Sequence, residues 1–276
     1  MTKTNVISKV ERQVRNTIRK YKICDKKEKI LVALSGGKDS TLTAYLLKKF
    51  GYNISGFYIN LGLGKYSEDC EQAIGNFCSK NKIPLHIYNI KKEMGARMCY
   101  LRASVQSYKK VKNCLVCGVI KKSIMNKEAC RLKVDKIATG HNLDDEVQTF
   151  LANVFKASLN LSVNTGAITK NVSDKKLIPR IKPLFFVLED DIRKYAKQKG
   201  LKIVPHPCPC GIDSYRIQIR KFLNTISEKE KRNIISNFEK LQKKIKKQTS
   251  KIQYCELCGE PSRNKLCKKC SLLNKN

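Results

Sequence analysis

The sequence predicts an α/β protein built on a doubly wound parallel sheet, followed by a small cysteine-rich module. Three observations lead to this prediction. Short apolar runs alternate with helical patterns from Lys29 to Phe155, as in consecutive βαβ units. A glycine-rich turn beginning at Ser35 joins the first apolar run to the next helix. Two Cys-x-x-Cys pairs near the C-terminus have the spacing of a metal-bound ribbon.

The elements follow one another in a regular order. A basic amphipathic helix is predicted first, from Val6 to Tyr21. Strands are then predicted at Ile30 to Leu34, Asn53 to Asn60, Leu85 to Asn89 and Lys136 to Thr139. Helices are predicted at Ser40 to Phe50, Cys70 to Lys80, Cys117 to Arg131 and Asp144 to Phe155. Because such sheets bind ligands at the carboxyl ends of their strands, the turns after Leu34, Asn60 and Thr139 should line one crevice.

The second half of the chain is less regular. Leu159 to Lys176 is polar and is predicted to be a loop, and a basic helix is predicted from Glu228 to Lys247. We therefore divide the chain into an N-terminal basic helix (1–27), a main α/β domain (28–225), a second basic helix (226–250) and a cysteine ribbon (251–276).

The composition narrows the class of protein. Lysine and arginine number 57 against 23 acidic residues, a net charge of +34, which favours a polyanionic partner such as nucleic acid. A lysine-rich proteome is the alternative source of part of this excess. No run of about 20 apolar residues is present, so we expect a cytoplasmic protein without a membrane span. In such a compartment the 13 cysteines indicate metal binding rather than disulfides.

The turn after the first strand has the features of an anion-binding loop. It consists of Ser35, Gly36, Gly37, Lys38, Asp39 and Ser40. The glycines allow the backbone to approach a phosphate, and the N-terminus of the following helix adds a positive dipole. The loop lacks the spacing of a Walker motif, and a glycine-rich turn without a ligand is the alternative.

A second polar turn follows the strand that ends at Thr139. It begins with Gly140, has Asn142 as a candidate helix cap, and continues with Asp144 and Asp145. Acidic residues suit the first turn of a helix, which is the purely structural interpretation. At the mouth of the same crevice, the two carboxylates could instead hold Mg²⁺ through water.

Three cysteines outside the ribbon form a second candidate metal site. Cys114 and Cys117 precede a predicted helix, and Cys208 lies in a proline-rich segment. Thiols near a helix N-terminus are expected to have a lowered pKa. Three thiolates can hold a 4Fe-4S cluster with one iron open to another ligand, or two can form a persulfide pair. A zinc site completed by Cys210 or His206 is the alternative.

The ribbon cysteines are the most specific metal signal. They are Cys255, Cys258, Cys267 and Cys270, and such a set suits tetrahedral Zn²⁺ at about 2.3 Å per Zn–S bond. Iron of the rubredoxin type is the alternative. The basic residues around the ribbon favour contact with RNA, while a purely structural role is the simpler interpretation.

Several of these motifs resemble one protein family in the same order along nearly the whole chain. The Ser35 to Ser40 loop resembles the PP-loop of the ATP pyrophosphatases. Cys114 to Gly118 with Lys121 and Lys122 resembles the archaeal and eukaryotic cytosolic tRNA 2-thiouridine synthetases. The later motifs of that family are similar to Ile178 to Leu184 and to Cys208 and Pro209 followed by Ser214, Arg216, Ile219, Arg220 and Leu223.

The resemblance implies a PP-loop fold and ATP-dependent 2-thiolation of a tRNA uridine. It implies that ATP and Mg²⁺ are held at the loop, with contributions from Lys121, Gly140 and Asp144, and that Lys38, Asp39 and Asp145 serve catalysis. Cys114, Cys117 and Cys208 would ligate a 4Fe-4S cluster whose sulfide attacks the adenylated carbon. Implied partners are tRNA and a sulfur donor, either a ubiquitin-like carrier thiocarboxylate or free sulfide, and members often form homodimers.

The sequence also departs from the family's pattern. The region before the loop holds only Cys24, whereas the family commonly has a second zinc module there, and Asn60 stands where an acidic residue is expected. Alternative functions are thiolation of a tRNA cytidine, lysidine synthesis, and RNA binding by a non-catalytic iron–sulfur or zinc protein. The ribbon argues against the first, and the paired thiols argue against the second.

Overall fold

The sheet has the parallel, doubly wound order that the sequence predicts. In the computed structural model, the structure describes residues 5–158, 165–169, 174–211, 216–244 and 252–274, without the side chains of residues 216 and 243. The main sheet consists of β1 (Lys29–Leu34), β2 (Asn53–Asn60), β3 (Leu85–Asn89), β4 (Lys136–Ala138) and β5 (Arg180–Ile181). Their spatial order is β3-β2-β1-β4-β5, and every pair is parallel.

Helices cover both faces of this sheet. They are α1 (Val6–Tyr21), α2 (Lys38–Lys49), α3 (Lys65–Lys80), α4 (Ile90–Met94), α5 (Met98–Gln106), α6 (Asn113–Arg131), α7 (Leu143–Phe155), α8 (Glu189–Gln198), α9 (Arg216–Leu223) and α10 (Glu228–Lys244). A hairpin of β6 (Gln253–Tyr254) and β7 (Pro261–Ser262) and a short helix α11 (Lys268–Leu273) form the ribbon. Among the described residues no helix is long and apolar enough to cross a membrane.

Side chains of β1 point alternately to the two faces of the sheet and so contribute to two separate layers of the core. Ile30 and Val32 pack into a cluster that contains α1, α2, α3, α7 and α8 on one face of the sheet. Leu31 points the other way and joins Phe57 and Ile137 in a second cluster with α5 and α6. Because successive side chains of a strand point to opposite faces, a wholly apolar strand is what a sheet covered on both sides requires.

The two basic helices are integral to this core. Val10 and Val14 of α1 are fully buried, while Arg12, Arg15 and Arg19 remain on its exposed side. Helix α10 packs on α7. The N-terminal helix therefore covers the sheet and presents cations to solvent at the same time.

The ribbon docks on the helices of the second layer. Leu272 of α11 is buried in the second cluster, and the Tyr108 hydroxyl donates a hydrogen bond to the Leu272 carbonyl oxygen at 2.9 Å. The Lys109 ammonium donates to the carbonyl oxygen of Ser271. Both donors lie in the connection between α5 and α6, just before Cys114. The ribbon thus supports the segment that carries the first pair of thiols.

Some predicted boundaries were wrong. The helix expected to begin at Cys117 begins at Asn113, because the amide groups of Leu115 and Val116 donate to the Lys112 carbonyl oxygen and start the helical turn earlier. Elements β5, α4, α5, α8 and α9 were not predicted. The last predicted basic helix is described to Lys244, and its expected end at Lys247 lies outside the described residues. In the predicted loop, residues 159–164 and 170–173 also lie outside them.

Candidate active site

One crevice lies at the carboxyl ends of the strands, where the turns after β1, β2 and β4 meet. Its volume is about 400 Å³, and both polar turns predicted from the sequence line it. The residues of the candidate site that contribute to its wall are Ser35, Asp39, Ser40, Lys121, Gly140, Asp145 and Cys208. The expectation that three turns share one crevice is therefore confirmed.

The loop after β1 leaves backbone donors facing the crevice. Helix α2 begins at Lys38 after Gly37, which offers no side-chain cap to the first amide groups. The Ser40 hydroxyl binds within the loop, accepting from the Ser35 amide at 3.1 Å. Gly36 has a φ of +79°, and a Cβ there would lie 3.1 Å from the Cys70 sulfur. An uncapped helix N-terminus behind a glycine turn is suited to phosphate.

Gly140 and Asn142 fasten the second turn to the first. A Cβ on Gly140 would lie 2.6 Å from the Ser40 amide nitrogen, so only glycine allows this approach. The Asn142 side chain donates to an Asp39 carboxylate oxygen at 2.9 Å and also caps α7, as expected, in a reciprocal arrangement with Asp145. The orientation of Asp39 is therefore set by a residue 103 positions away.

Lys38 is held between two carboxylates. Its ammonium lies 2.8 Å from a Glu189 oxygen and 3.1 Å from an Asp39 oxygen. Burial lowers the pKa of Lys38, but Asp39 and Glu189 together raise it above the ordinary value. Burial alone would raise the pKa of Glu189. The hydrogen bond and the positive charge of Lys38 outweigh this effect, so the pKa of Glu189 is below its ordinary value. Both groups are therefore ionised at neutral pH.

The two expected magnesium ligands are placed differently. Asp145 lines the crevice, where burial and then the negative charge of Asp39 raise its pKa to about 6. Asp144 instead accepts from the Lys231 ammonium at 2.7 Å and from the Glu189 amide at 2.7 Å. The carboxylate pair that faces the crevice is therefore Asp39 and Asp145, not Asp144 and Asp145.

Of the three predicted cluster thiols, only Cys208 lines the crevice, and Cys117 lies close to Cys114, Cys208 and the crevice residue Lys121. Cys114 and Cys117 are one turn apart at the start of α6, and Cys208 and Lys121 lie in the crevice wall. Burial raises the pKa of Cys117, and the nearby Lys121 ammonium opposes this. The expected lowering is thus not found at Cys117 or at Cys208, where burial also raises the pKa. Within the described residues these three sulfurs do not form a closed metal-ligand group. Their donor chemistry, three thiols with no fourth protein ligand in the predicted set, fits a cluster with one iron left open.

The turn after β2 is shaped by the asparagine that departs from the family's pattern. The Asn60 side chain donates to a Glu71 carboxylate oxygen at 2.6 Å and accepts from the Gly62 amide at 2.9 Å. Cys70, to which the sequence assigned no chemistry, is buried and lines the crevice beneath the loop. The Asn60 side chain therefore holds the Glu71 carboxylate beside this turn.

The ribbon cysteines form a separate, closed site. The sulfurs of Cys255, Cys258, Cys267 and Cys270 all lie within 4.8 Å of one another, and Cys258 and Cys267 are 3.6 Å apart. Sulfurs at the corners of a tetrahedron with Zn–S bonds of about 2.3 Å are separated by about 3.8 Å. The four thiols could therefore bind a tetrahedral metal ion.

Sequence reasoning missed Glu189 entirely. The segment from Glu189 to Asp191 is acidic and opens α8, as is common in the first turn of a helix. Nothing in that pattern relates it to Lys38, which lies 151 residues earlier. The pairing comes from β5 and the turn after it, which bring the start of α8 beside the start of α7.

Comparisons with known proteins agree with this geometry. The family described as "PP-loop domain" matches residues 6–226. The tRNA-5-methyluridine(54) 2-sulfurtransferase of Pyrococcus horikoshii is 37% identical over 94% of this chain and 83% of that protein. Cytoplasmic tRNA 2-thiolation protein 1 of Caenorhabditis elegans is 29% identical over 95% of this chain and 72% of that protein. The solved structure of the U34-tRNA thiolase NcsA from Methanococcus maripaludis with its 4Fe-4S cluster matches with a TM-score of 0.79 and 28% identity. The match covers 97% of this chain and 87% of that one.

Proposed function

The chain belongs to the PP-loop domain family, and from this premise we propose that it is an ATP-dependent tRNA uridine 2-sulfurtransferase. One observation carries the proposal. The anion loop, the Asp39 and Asp145 pair, Lys121 and Cys208 all face a single crevice. A phosphate cradle alone would suit many enzymes, but a thiol in the wall of the same crevice suits the replacement of oxygen by sulfur.

The first step uses the loop. Backbone amide groups of the loop and the Lys38 ammonium bind the ATP phosphates, and Asp39 and Asp145 would hold Mg²⁺, which would neutralise phosphate charge. The O2 atom of the uridine attacks the α-phosphorus, a P–O bond to the β-phosphate breaks, and pyrophosphate leaves. Lys38 then stabilises the negative charge that develops on pyrophosphate, so it exchanges Glu189 and Asp39 for phosphate oxygens.

The second step uses the thiols. Sulfide attacks C2 of the adenylated uridine, the C2–O bond breaks, AMP departs, and 2-thiouridine remains. Cys114, Cys117 and Cys208 would hold the 4Fe-4S cluster, which when bound supplies an iron without a protein ligand where sulfide can be carried. Lys121 adds positive charge beside Cys117 and Cys208.

We assign Zn²⁺ to the ribbon and contact with the tRNA backbone to its basic face. Arg263, Lys265 and Lys268 line a shallow polar depression on the ribbon, and none of its described lining residues is acidic. Clustered cations of this kind bind phosphates without reading sequence. We further propose that the sulfur donor is a carrier thiocarboxylate or free sulfide. The proposal also includes a cytoplasmic location and assembly as a homodimer.

Thiolation of unmodified tRNA under anaerobic conditions tests the proposal. Wild type, Lys38→Ala, Cys208→Ala and the control Cys99→Ala are incubated with ATP, Mg²⁺ and sulfide, and the nucleosides are identified by mass spectrometry. Wild type and Cys99→Ala should form 2-thiouridine, and the other two variants should not. The position of the product distinguishes a uridine at 34 from one at 54.

Other outcomes would contradict the proposal in different ways. A 2-thiocytidine product would assign the chain to cytidine thiolation. Thiolation by protein without iron would exclude the cluster and favour direct attack of sulfide on the adenylated carbon, because a persulfide at the paired thiols cannot form from sulfide without an oxidant. Tight tRNA binding without thiolation or ATP turnover would favour a non-catalytic RNA-binding protein.

A further inference from the structure

Helix α5 carries a buried cation for which the described part of the protein provides no counter-ion. Arg102 is only 9% exposed. Its Nε atom has no hydrogen-bond partner, and within the described part of the chain no carboxylate pairs with its guanidinium. A buried charge without a partner is costly, so one that persists indicates an anion that arrives from outside the chain.

The position of Arg102 identifies where that anion would lie. Met98, Arg102 and Val105 share the face of α5 that packs on α6, since Met98 and Val105 are fully buried in the same cluster as Val116. Cys117 packs against this cluster, and the positive charge of Arg102 acts on its thiol. The guanidinium therefore lies near Cys117, on a helix whose buried face packs against α6.

Lys121 does not serve the same purpose. It lies one turn after Cys117, lines the crevice and is partly exposed, so water and bound nucleotide share its charge. Arg102 is more deeply buried, so solvent screens its charge less. Two cations thus lie near Cys117, namely the partly exposed Lys121 in the crevice wall and the largely buried Arg102 on α5.

We propose that Arg102 is the counter-ion of the anionic iron–sulfur cluster that Cys114, Cys117 and Cys208 hold. This inference rests on the proposed function, because it requires the cluster. A 4Fe-4S core held by three thiolates carries net negative charge, and bound sulfide increases it. Arg102 stabilises that charge and, being a cation, favours the reduced form of the cluster. It is a positioning residue, since it acts through the thiols and does not contact tRNA or ATP.

Arg102→Gln tests this with two readouts that move in opposite directions. Without the cluster, the variant should unfold at a higher temperature than wild type, because it removes a buried unpaired charge. After anaerobic reconstitution it should lose iron to a chelator several-fold faster than wild type and have a lower reduction potential. Arg102→Lys should restore both cluster properties in large part. Arg131→Gln is the matched control, since Arg131 lies on α6 but is exposed and pairs with Glu128.

The outcomes separate this inference from the proposed function. If wild type takes up a cluster and Arg102→Gln keeps it with the same lifetime and potential, Arg102 is not its counter-ion. A cluster-free Arg102→Gln protein that is less stable than wild type would also overturn the inference, because the guanidinium would then have a partner in the chain. Failure of wild type to bind iron would overturn the cluster itself, and with it the proposed route for sulfur.

Discussion

Replacing Asp145 with asparagine should stabilise the nucleotide-free protein at neutral pH. Burial, and then the charge of Asp39, raise the pKa of Asp145 from 3.8 to about 6. Each factor of ten in a proton equilibrium corresponds to about 1.4 kcal/mol, so the folded protein disfavours this carboxylate by at most about 3 kcal/mol. Because Asp145 keeps some contact with solvent, we expect a gain of roughly 1 to 3 kcal/mol in the free energy of unfolding.

The direction of the pKa shift of Asp145 determines how the stability gain depends on pH. The pKa is higher in the folded than in the unfolded protein, so wild type loses stability as pH rises from about 4 to about 6. The asparagine variant has no ionisable group at position 145, so it does not lose this stability as the pH rises. Its advantage should be small near pH 4 and complete above about pH 6.5, as measured by urea unfolding without Mg²⁺ or nucleotide. The helix cap is retained, because asparagine still offers a side-chain oxygen to the Asn142 amide.

Asp190→Asn is the matched control for this prediction. A hydrogen bond from Lys194 lowers the pKa of Asp190, which is exposed. Its replacement should cost no more than about 0.5 kcal/mol at neutral pH, as for other surface pairs. An Asp145→Asn protein that is less stable than wild type at pH 7, or equally stabilised at every pH, would refute the reasoning.

The contacts of the candidate site, the core and the ribbon predict the effects of four other substitutions. Gly140→Ala should abolish ATP binding in a calorimetric titration, because its Cβ would lie 2.6 Å from a backbone nitrogen of the loop. Glu189→Gln should bind pyrophosphate about three- to tenfold more tightly, since it no longer competes for Lys38. Lys182→Ala should lower the free energy of unfolding by about 3 to 5 kcal/mol, because it leaves the buried Glu146 carboxylate unpaired. Cys258→Ser should release the ribbon metal, measured by elemental analysis, and lower the melting temperature.

Each of these four substitutions has a control variant or a result that would contradict the prediction. Gly75→Ala, in open space on α3, should stabilise the protein by about 1 kcal/mol, so nucleotide binding by Gly140→Ala would show that the close approach is not required. Unchanged pyrophosphate affinity in Glu189→Gln would mean that Glu189 does not restrain Lys38. A Lys182→Ala protein as stable as Glu146→Gln/Lys182→Met would argue against the cost of the unpaired charge. Full metal content in Cys258→Ser would exclude a four-thiolate site.

The sequence predicted the elements whose signals are local. The strands β1, β2 and β3 are segments of five to eight residues rich in β-branched, leucine and aromatic side chains, and their bounds agree with the prediction to within a residue. Strand β5 has two residues and is defined only by pairing with β4, so no pattern of its own could indicate it. Helix α6 begins before the cysteines because of a backbone turn at Lys112, which has no side-chain capping signal.

In the candidate site, too, the local motifs could be predicted from the sequence and the long-range contacts could not. Both turns carry recognisable motifs, and the rule for parallel sheets brings them together. The ion pair between Lys38 and Glu189 and the turn of Asp144 toward Lys231 depend on how α8 and α10 pack, over separations of 151 and 87 residues. The burial of Arg102 likewise follows from the packing of α5 on α6. Such contacts are set by tertiary structure, and a single sequence does not reveal them.

The central claim is that ATP is used to adenylate the RNA, and the products of ATP in a single turnover test it most directly. Wild-type protein with its cluster, unmodified tRNA, sulfide and ATP labelled at the α-phosphate would be quenched at intervals, and AMP, ADP and 2-thiouridine would be counted. We predict one AMP for each 2-thiouridine, formed only with tRNA present and absent in Lys38→Ala. Release of ADP in place of AMP, or thiouridine formed without ATP cleavage, would contradict the account.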